Sequence, residues 1–203
     1  MRHVAIVIFD EVEVLDFCGP FEVFAVTGRR SGLTPFEVHT IAERAQPVFA
    51  RHRLSVNPTY TFSDPNAPKP DILLVPGGFG TRREMHNPAM LDWVRRAQVG
   101  AEFLLSVCTG ALILGAAGLL DGLEATTHYG AYDELRKAAP GCVVRTDQRY
   151  VDTGRVISSA GVSAGIDMAL HVVERLHGSE LARETARYME YEGSFAEAAR
   201  RAS

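Results

Sequence analysis

Ala101-Glu102-Phe103-Leu104-Leu105-Ser106-Val107-Cys108-Thr109-Gly110-Ala111-Leu112 is the stretch around which the chain is organised. Phe103 to Val107 form a short, nearly continuous apolar run, the pattern of a strand buried on both faces. Cys108 ends that run, Thr109-Gly110 supplies a tight turn, and Ala111-Leu112-Ile113-Leu114-Gly115-Ala116-Ala117 reads as a closely packed helix of small residues. A side chain on a sharp strand-to-helix turn stands clear of the sheet. It also sits at a helix N-terminus, where free N–H groups and the helix dipole favour negative charge. For Cys108 this predicts a lowered pKa and a larger share of thiolate, the nucleophilic form. The competing reading is an inert buried thiol, and the position on the turn weighs against it.

Outward from this stretch, apolar strands alternate with helices. Residues 3–9, 36–42 and 71–76 read as strands, and the first and third are apolar enough to be interior strands of a parallel sheet. Residues 10–15 read as a connection. Asp16-Phe17-Cys18-Gly19-Pro20 then leads into a helix whose first turn would hold Pro20. Asn87-Pro88 starts a helix with Trp93, Leu91 and Val94 facing inward and Arg95-Arg96 outward. Ala125-Thr126-Thr127 reads as a short strand, and His128-Tyr129-Gly130 opens a helix. Residues 150–159 read as a hairpin, and residues 161–176 and 179–191 as helices before a loose tail. The expectation is one α/β domain over residues 1–203, with a mainly parallel sheet and helices on both faces. Such sheets bind ligands at the C-terminal ends of their strands, near a switch in strand order. Asp16, Gly77-Gly78 and Cys108 all follow strands.

Cys108 would attack an electrophilic carbon, and the charge that develops beside it needs fixed donors. The N–H groups of Gly78 and Thr109 are the expected pair, with the Thr109 hydroxyl as a further donor; Gly77-Gly78 could also be a plain turn. Asp16 is the candidate proton carrier, because a carboxyl beside a thiolate tends to keep its proton. The alternative is that Asp16 caps the helix after it. His128 would cap a helix or support the site from behind, and Gly161 is a further candidate for a supporting position. Cys18 would fill the core or line the same cleft, where an oxidant could join it to Cys108.

Composition narrows the function classes. The net charge is −4, so nothing favours nucleic acid or an anionic membrane surface. No apolar stretch is long enough to span a bilayer, and Met1-Arg2-His3 runs directly into a strand rather than a signal peptide. Three cysteines, Cys18, Cys108 and Cys142, suit a reducing cytoplasm and not a disulfide framework. No C-x-x-C or H-x-x-x-H pair occurs, so no metal site is expected.

Val75-Pro76-Gly77-Gly78, Ser106-Val107-Cys108-Thr109-Gly110-Ala111 and Leu114-Gly115-Ala116-Ala117-Gly118-Leu119-Leu120 resemble the ThiJ/PfpI superfamily. Leu15-Asp16-Phe17-Cys18-Gly19-Pro20, Ala125-Thr126-Thr127-His128-Tyr129 and residues 160–167 narrow the resemblance to its isonitrile hydratase branch. The resemblance spans residues 3–191. It implies a flavodoxin-like, class I glutamine amidotransferase-like fold, and a small-molecule substrate with no cofactor. It further implies hydration of an isonitrile to an N-substituted formamide. Cys108 falls on the family's nucleophile, Asp16 on its acidic partner and Thr109 on the threonine beside the nucleophile. A homodimer is also implied. Cys18 and Tyr129 stand where similar enzymes carry threonine and tryptophan. Thr109 replaces the histidine of the protease-like branch, and the chaperone and deglycase branch has glutamate where Asp16 falls. The same motifs occur in the N-terminal half of AraC-type regulators, so a non-catalytic small-molecule or redox sensor is one alternative, and another thiol-dependent hydrolase of the superfamily is the other. No helix-turn-helix segment follows in these 203 residues.

Overall fold

The computed structural model describes residues 1–191. In chain order the strands are β1 (Arg2–Val7), β2 (Phe36–Ala42), β3 (Val48–Phe49), β4 (Ser55–Val56), β5 (Tyr60–Thr61), β6 (Ile72–Val75), β7 (Phe103–Val107), β8 (Glu124–Ala125), β9 (Val143–Val144), β10 (Tyr150–Asp152) and β11 (Val156–Ser159). The helices are α1 (Val14–Val26), α2 (Thr81–Glu84), α3 (Pro88–Ala97), α4 (Gly110–Ala116), α5 (Tyr132–Ala138), α6 (Ala164–His177) and α7 (Ser179–Tyr188).

The central sheet runs β10-β11-β7-β6-β1-β2-β5. Every pairing in it is parallel except the hairpin β10–β11. β6 and β7 have no exposed residue, which explains their unbroken apolar runs. Helices α1, α6 and α7 pack on one another over one face; α2, α3, α4 and α5 cover the other. This is the expected flavodoxin-like α/β sandwich. The chain order reverses about β1, with β2 on one side and β6 on the other. The C-terminal ends of β11, β7, β6 and β1 therefore lie side by side, at the switch point where such sheets hold ligands.

Local features differ from the sequence reading in three places. Helix α1 begins at Val14 rather than near Pro20, which lies inside it. The chain before it is pinned first: Val12 bridges Gly78, and the Glu13 N–H donates to the Gly77 carbonyl at 2.9 Å. Coiling then starts at once, and packing of α1 against α6 outweighs the lost Pro20 bond. In α3, Met90 joins Trp93 and Val94 in the core while Leu91 is half-buried. Strand β8 stops at Ala125, because the Thr126 N–H turns to the Ser158 hydroxyl at 2.8 Å. The tail after about residue 191 lies outside the described residues. Among the described residues no helix is long and apolar enough to cross a membrane.

Candidate active site

The site is built from the four adjacent strand ends. After β7 the chain makes its elbow at Cys108, whose φ is 56°. A non-glycine residue in this left-handed region carries a cost of about 1–2 kcal/mol. The surroundings hold it there. The Cys108 N–H is shared between the carbonyls of Ser159 and Ala160 at 3.1 and 2.8 Å, just after β11. The Cys108 carbonyl accepts the buried Thr127 hydroxyl at 2.7 Å. Such a conformation persists only where the surroundings over-determine it, and residues held this way cluster at active sites and ligand clamps.

Asp16 is fully buried in the first turn of α1. It does not cap that helix: Glu13 holds the N-cap position, and no side chain caps there. Asp16 Oδ2 accepts the Gly77 N–H at 3.0 Å. Asp16 Oδ1 is buried with no partner in hydrogen-bonding geometry, although the Cys108 thiol and the Val162 N–H approach the carboxyl. Burial is the main reason its pKa rises to about 7, with the charge of Glu13 adding to it. Gly77 lies between the Asp16 carboxyl and the Cys108 side chain. A Cβ there would sit 2.6 Å from the Thr109 nitrogen, 2.7 Å from Asp16 Oδ2 and 2.8 Å from Cys108 Cβ. Only glycine lets the carboxyl and the thiol come this close.

Two expectations are corrected here. Cys108 is not a low-pKa thiol. Burial, followed by repulsion from Asp16, pushes it up to about 12, and the donors of Thr109 only partly offset this. A short helix N-terminus cannot outweigh desolvation plus a neighbouring carboxyl. At neutral pH the pair is therefore a thiol facing a carboxyl poised to hold its own proton. The Gly78 N–H is also not free as an oxyanion donor, because it donates to the Thr109 hydroxyl oxygen at 3.0 Å. The Thr109 hydroxyl is in turn within 3.1 Å of the Gly78 carbonyl.

The remaining candidates lie around this centre. His128 caps a short 3₁₀ turn, its Nδ1 accepting the Gly130 N–H at 3.2 Å. Its ring packs on Gly161, where a Cβ would sit 2.5 Å from His128 Cδ2. His128 and Gly161 thus seat the segments after β8 and β11 against each other, next to the residues that bond the Cys108 backbone. Cys18 is half-buried against the core. Two residues apart on a helix, it and Asp16 point to different sides of α1, so the helix directs Cys18 away from the Asp16 cleft. Thr81 and Thr127, both fully buried, touch the site without having been singled out. A threonine directly after a glycine-rich turn was the available signal for Thr81.

Among the described residues no cluster of metal-ligating side chains is present.

Comparison with known proteins agrees with this architecture. An isonitrile hydratase from Pseudomonas putida is 35% identical over 189 residues, covering 93% of this chain and 78% of its own length. The HTH-type transcriptional regulator GbdR of Pseudomonas aeruginosa is 29% identical over 94% of this chain, which spans 51% of that regulator. The crystal structure of a ThiJ/PfpI family protein from Pseudomonas syringae superposes with a TM-score of 0.84 at 31% identity, over 95% of this chain and 76% of that one. Drosophila melanogaster DJ-1beta shares the fold at 20% identity, with a TM-score of 0.80 over 94% of this chain and 98% of its own. The DJ-1/PfpI family model matches residues 2–175, and the chain belongs to that family.

Proposed function

We propose that the protein adds water to an isonitrile, giving an N-substituted formamide through a covalent bond to Cys108. The observation that carries this reading is the pairing of a buried thiol with a buried carboxyl whose pKa is raised to about 7. The terminal carbon of an isonitrile takes both a proton and a nucleophile. Asp16, protonated, gives its proton to that carbon. Cys108 Sγ bonds to the same carbon and passes its own proton to the carboxylate. The product is a thioimidate, R–N=CH–S–Cys108, formed with no net loss of atoms or charge. Water then adds to the same carbon, the C–S bond breaks, and the sulfur regains its proton as R–NH–CHO leaves. The similarity to an isonitrile hydratase supports the same reading.

The test is formamide production from cyclohexyl isocyanide, followed chromatographically. Turnover supports the proposal. Folded protein that makes no formamide overturns it in favour of a ligand-sensing domain, the reading that similarity to a transcriptional regulator supports.

Two expected results follow from the geometry. Because Asp16 must be protonated to act as the acid, kcat/KM is expected to be level at low pH. It should fall about tenfold per pH unit above the Asp16 pKa of about 7. A rate that rises through that range would mean that thiolate supply governs the reaction instead. Gly77→Ala is expected to lower turnover by about a hundredfold or more, because its methyl group displaces reacting groups by a good fraction of an ångström. Overpacking should also cost about 1–3 kcal/mol of stability. Kinetics and thermal unfolding of the purified variant check both.

A further inference from the structure

Beneath the elbow, three buried hydroxyls meet on one face of the sheet. Val107 points to α6, since a Cβ at Gly165 would lie 3.0 Å from each of its methyl carbons. Side chains alternate along a strand, so Ser106 points to the opposite face, two residues before Cys108. Ser158 on β11 stands beside Ser106 in the parallel register and shares that face. The Thr126 N–H donates to Ser158 Oγ at 2.8 Å, which brings Thr126 over the same spot. All three residues are buried. Among the described residues, the hydroxyls of Ser106 and Thr126 reach no hydrogen-bond partner. The Ser158 oxygen is engaged as an acceptor, which leaves its proton to give. Neighbouring strands lie about 4.8 Å apart, too far for a direct hydrogen bond and close enough for one water to bridge two side-chain oxygens. Buried hydroxyls in folded proteins are paired, and ordered water is the partner where protein groups fall short.

We infer that Ser106, Ser158 and Thr126 form a binding site for one water molecule, seated where β7, β11 and the segment leaving β8 converge under Cys108. The water accepts the Ser158 proton and donates to Ser106 Oγ and Thr126 Oγ1, so both unpaired oxygens gain a partner. Three hydrogen bonds is the usual number for a buried water. The segments it ties together are those that fix the Cys108 backbone. Ser158 leads directly into Ser159 and Ala160, whose carbonyls hold the Cys108 N–H. Thr126 precedes Thr127, whose hydroxyl holds the Cys108 carbonyl. The water braces the elbow from below, and the inference depends on no substrate.

The experiment is thermal unfolding of the full chain, of Thr126→Val, of Ser106→Ala and of the double variant, together with a crystal structure of the parent. Thr126→Val keeps the shape and removes one hydroxyl. With the water in place it loses a hydrogen bond, and Tm is expected to fall by about 2–4 °C. A dry site gives the opposite sign, because deleting an unpaired buried hydroxyl removes its desolvation cost and raises Tm. Ser106→Ala is expected to lower Tm in the same way. Both hydroxyls hold one water, so the double variant should lose less than the two single losses added together. The crystal structure should show a water within hydrogen-bonding distance of all three hydroxyls. A Tm that rises or stays level in Thr126→Val would overturn the inference. So would additive losses in the double variant, or a crystal structure with no water between these side chains. Neither measurement involves turnover, so failure here and failure of the hydratase reading are separate results.

Discussion

Asp16→Asn is expected to lose turnover by about 10²–10⁴-fold while making the protein more stable at neutral pH. Asparagine keeps an oxygen for the Gly77 N–H and presents an NH₂ where the protonated carboxyl has its OH. It holds the shape of the neutral acid and cannot give up the proton. The stability effect follows from the displaced titration. An unfolded Asp ionises near its model value of 3.8, whereas folded Asp16 does so near 7. The folded state retains a proton that the unfolded state has released, so stability is highest below about pH 4 and is lost as pH rises toward 7. Above that the penalty is constant, and over this interval it amounts to about 4 kcal/mol at 1.36 kcal/mol per pH unit. The variant removes it entirely. Its advantage over the parent should be near zero at pH 4 and greatest above pH 7.

The parent protein conceals this behaviour. His39 on β2 is buried, and neither ring nitrogen has a partner. Burial pulls its pKa from 6.5 down to about 4, so its contribution to stability is full above pH 6.5 and is lost as pH falls toward 4. Across that window the unfolded chain has a protonated His39 and an ionised Asp16, and the folded chain has the reverse. Folding moves one proton from the first to the second and takes up none, so the two contributions oppose each other. Asp16→Asn leaves His39 alone, and stability of the variant should rise steeply from pH 4 to pH 6.5. Denaturant unfolding of both proteins at pH 4.5, 6 and 8 measures it. A stability difference that stays constant over those pH values would show that Asp16 ionises at its ordinary pKa in the fold.

Cys108→Ala is expected to reduce formamide production to the uncatalysed level, a loss of at least about 10³-fold, because the proposed route passes through a carbon–sulfur bond. The fold should survive, since Ala also meets the backbone cost at a φ of 56° without adding bulk. Cys108→Ser should be nearly as inactive: its hydroxyl occupies the same place but gives up its proton far less readily. Cys108→Gly should be equally inactive, with the backbone strain relieved. Turnover that survives in Cys108→Ala would place the chemistry on Asp16 and water alone.

Much of the framework was legible along the chain. The apolar runs of β1, β6 and β7 and the hairpin after residue 150 follow from neighbours two residues apart, and so does the elbow at Cys108. The helices follow from neighbours three and four apart. Asp16 was legible as an acid in the right neighbourhood but not as a residue inside a helix. The start of α1 is decided by the Val12–Gly78 bridge and the Glu13–Gly77 bond, made to a loop over 60 residues away.

By itself, the sequence determined an alternating α/β chain with its acid, its glycine pair and its cysteine each following a strand. Tertiary structure alone decided that these strand ends are neighbours, that the thiol is raised and not lowered in pKa, and that the Gly78 N–H is committed to Thr109. The reason is physical. Periodicity and turn chemistry act between residues a few positions apart, so they are written locally. Desolvation and hydrogen-bond partnership depend on what the fold brings in from elsewhere: Gly77 reaches Asp16 across 61 positions, and Gly78 reaches Thr109 across 31.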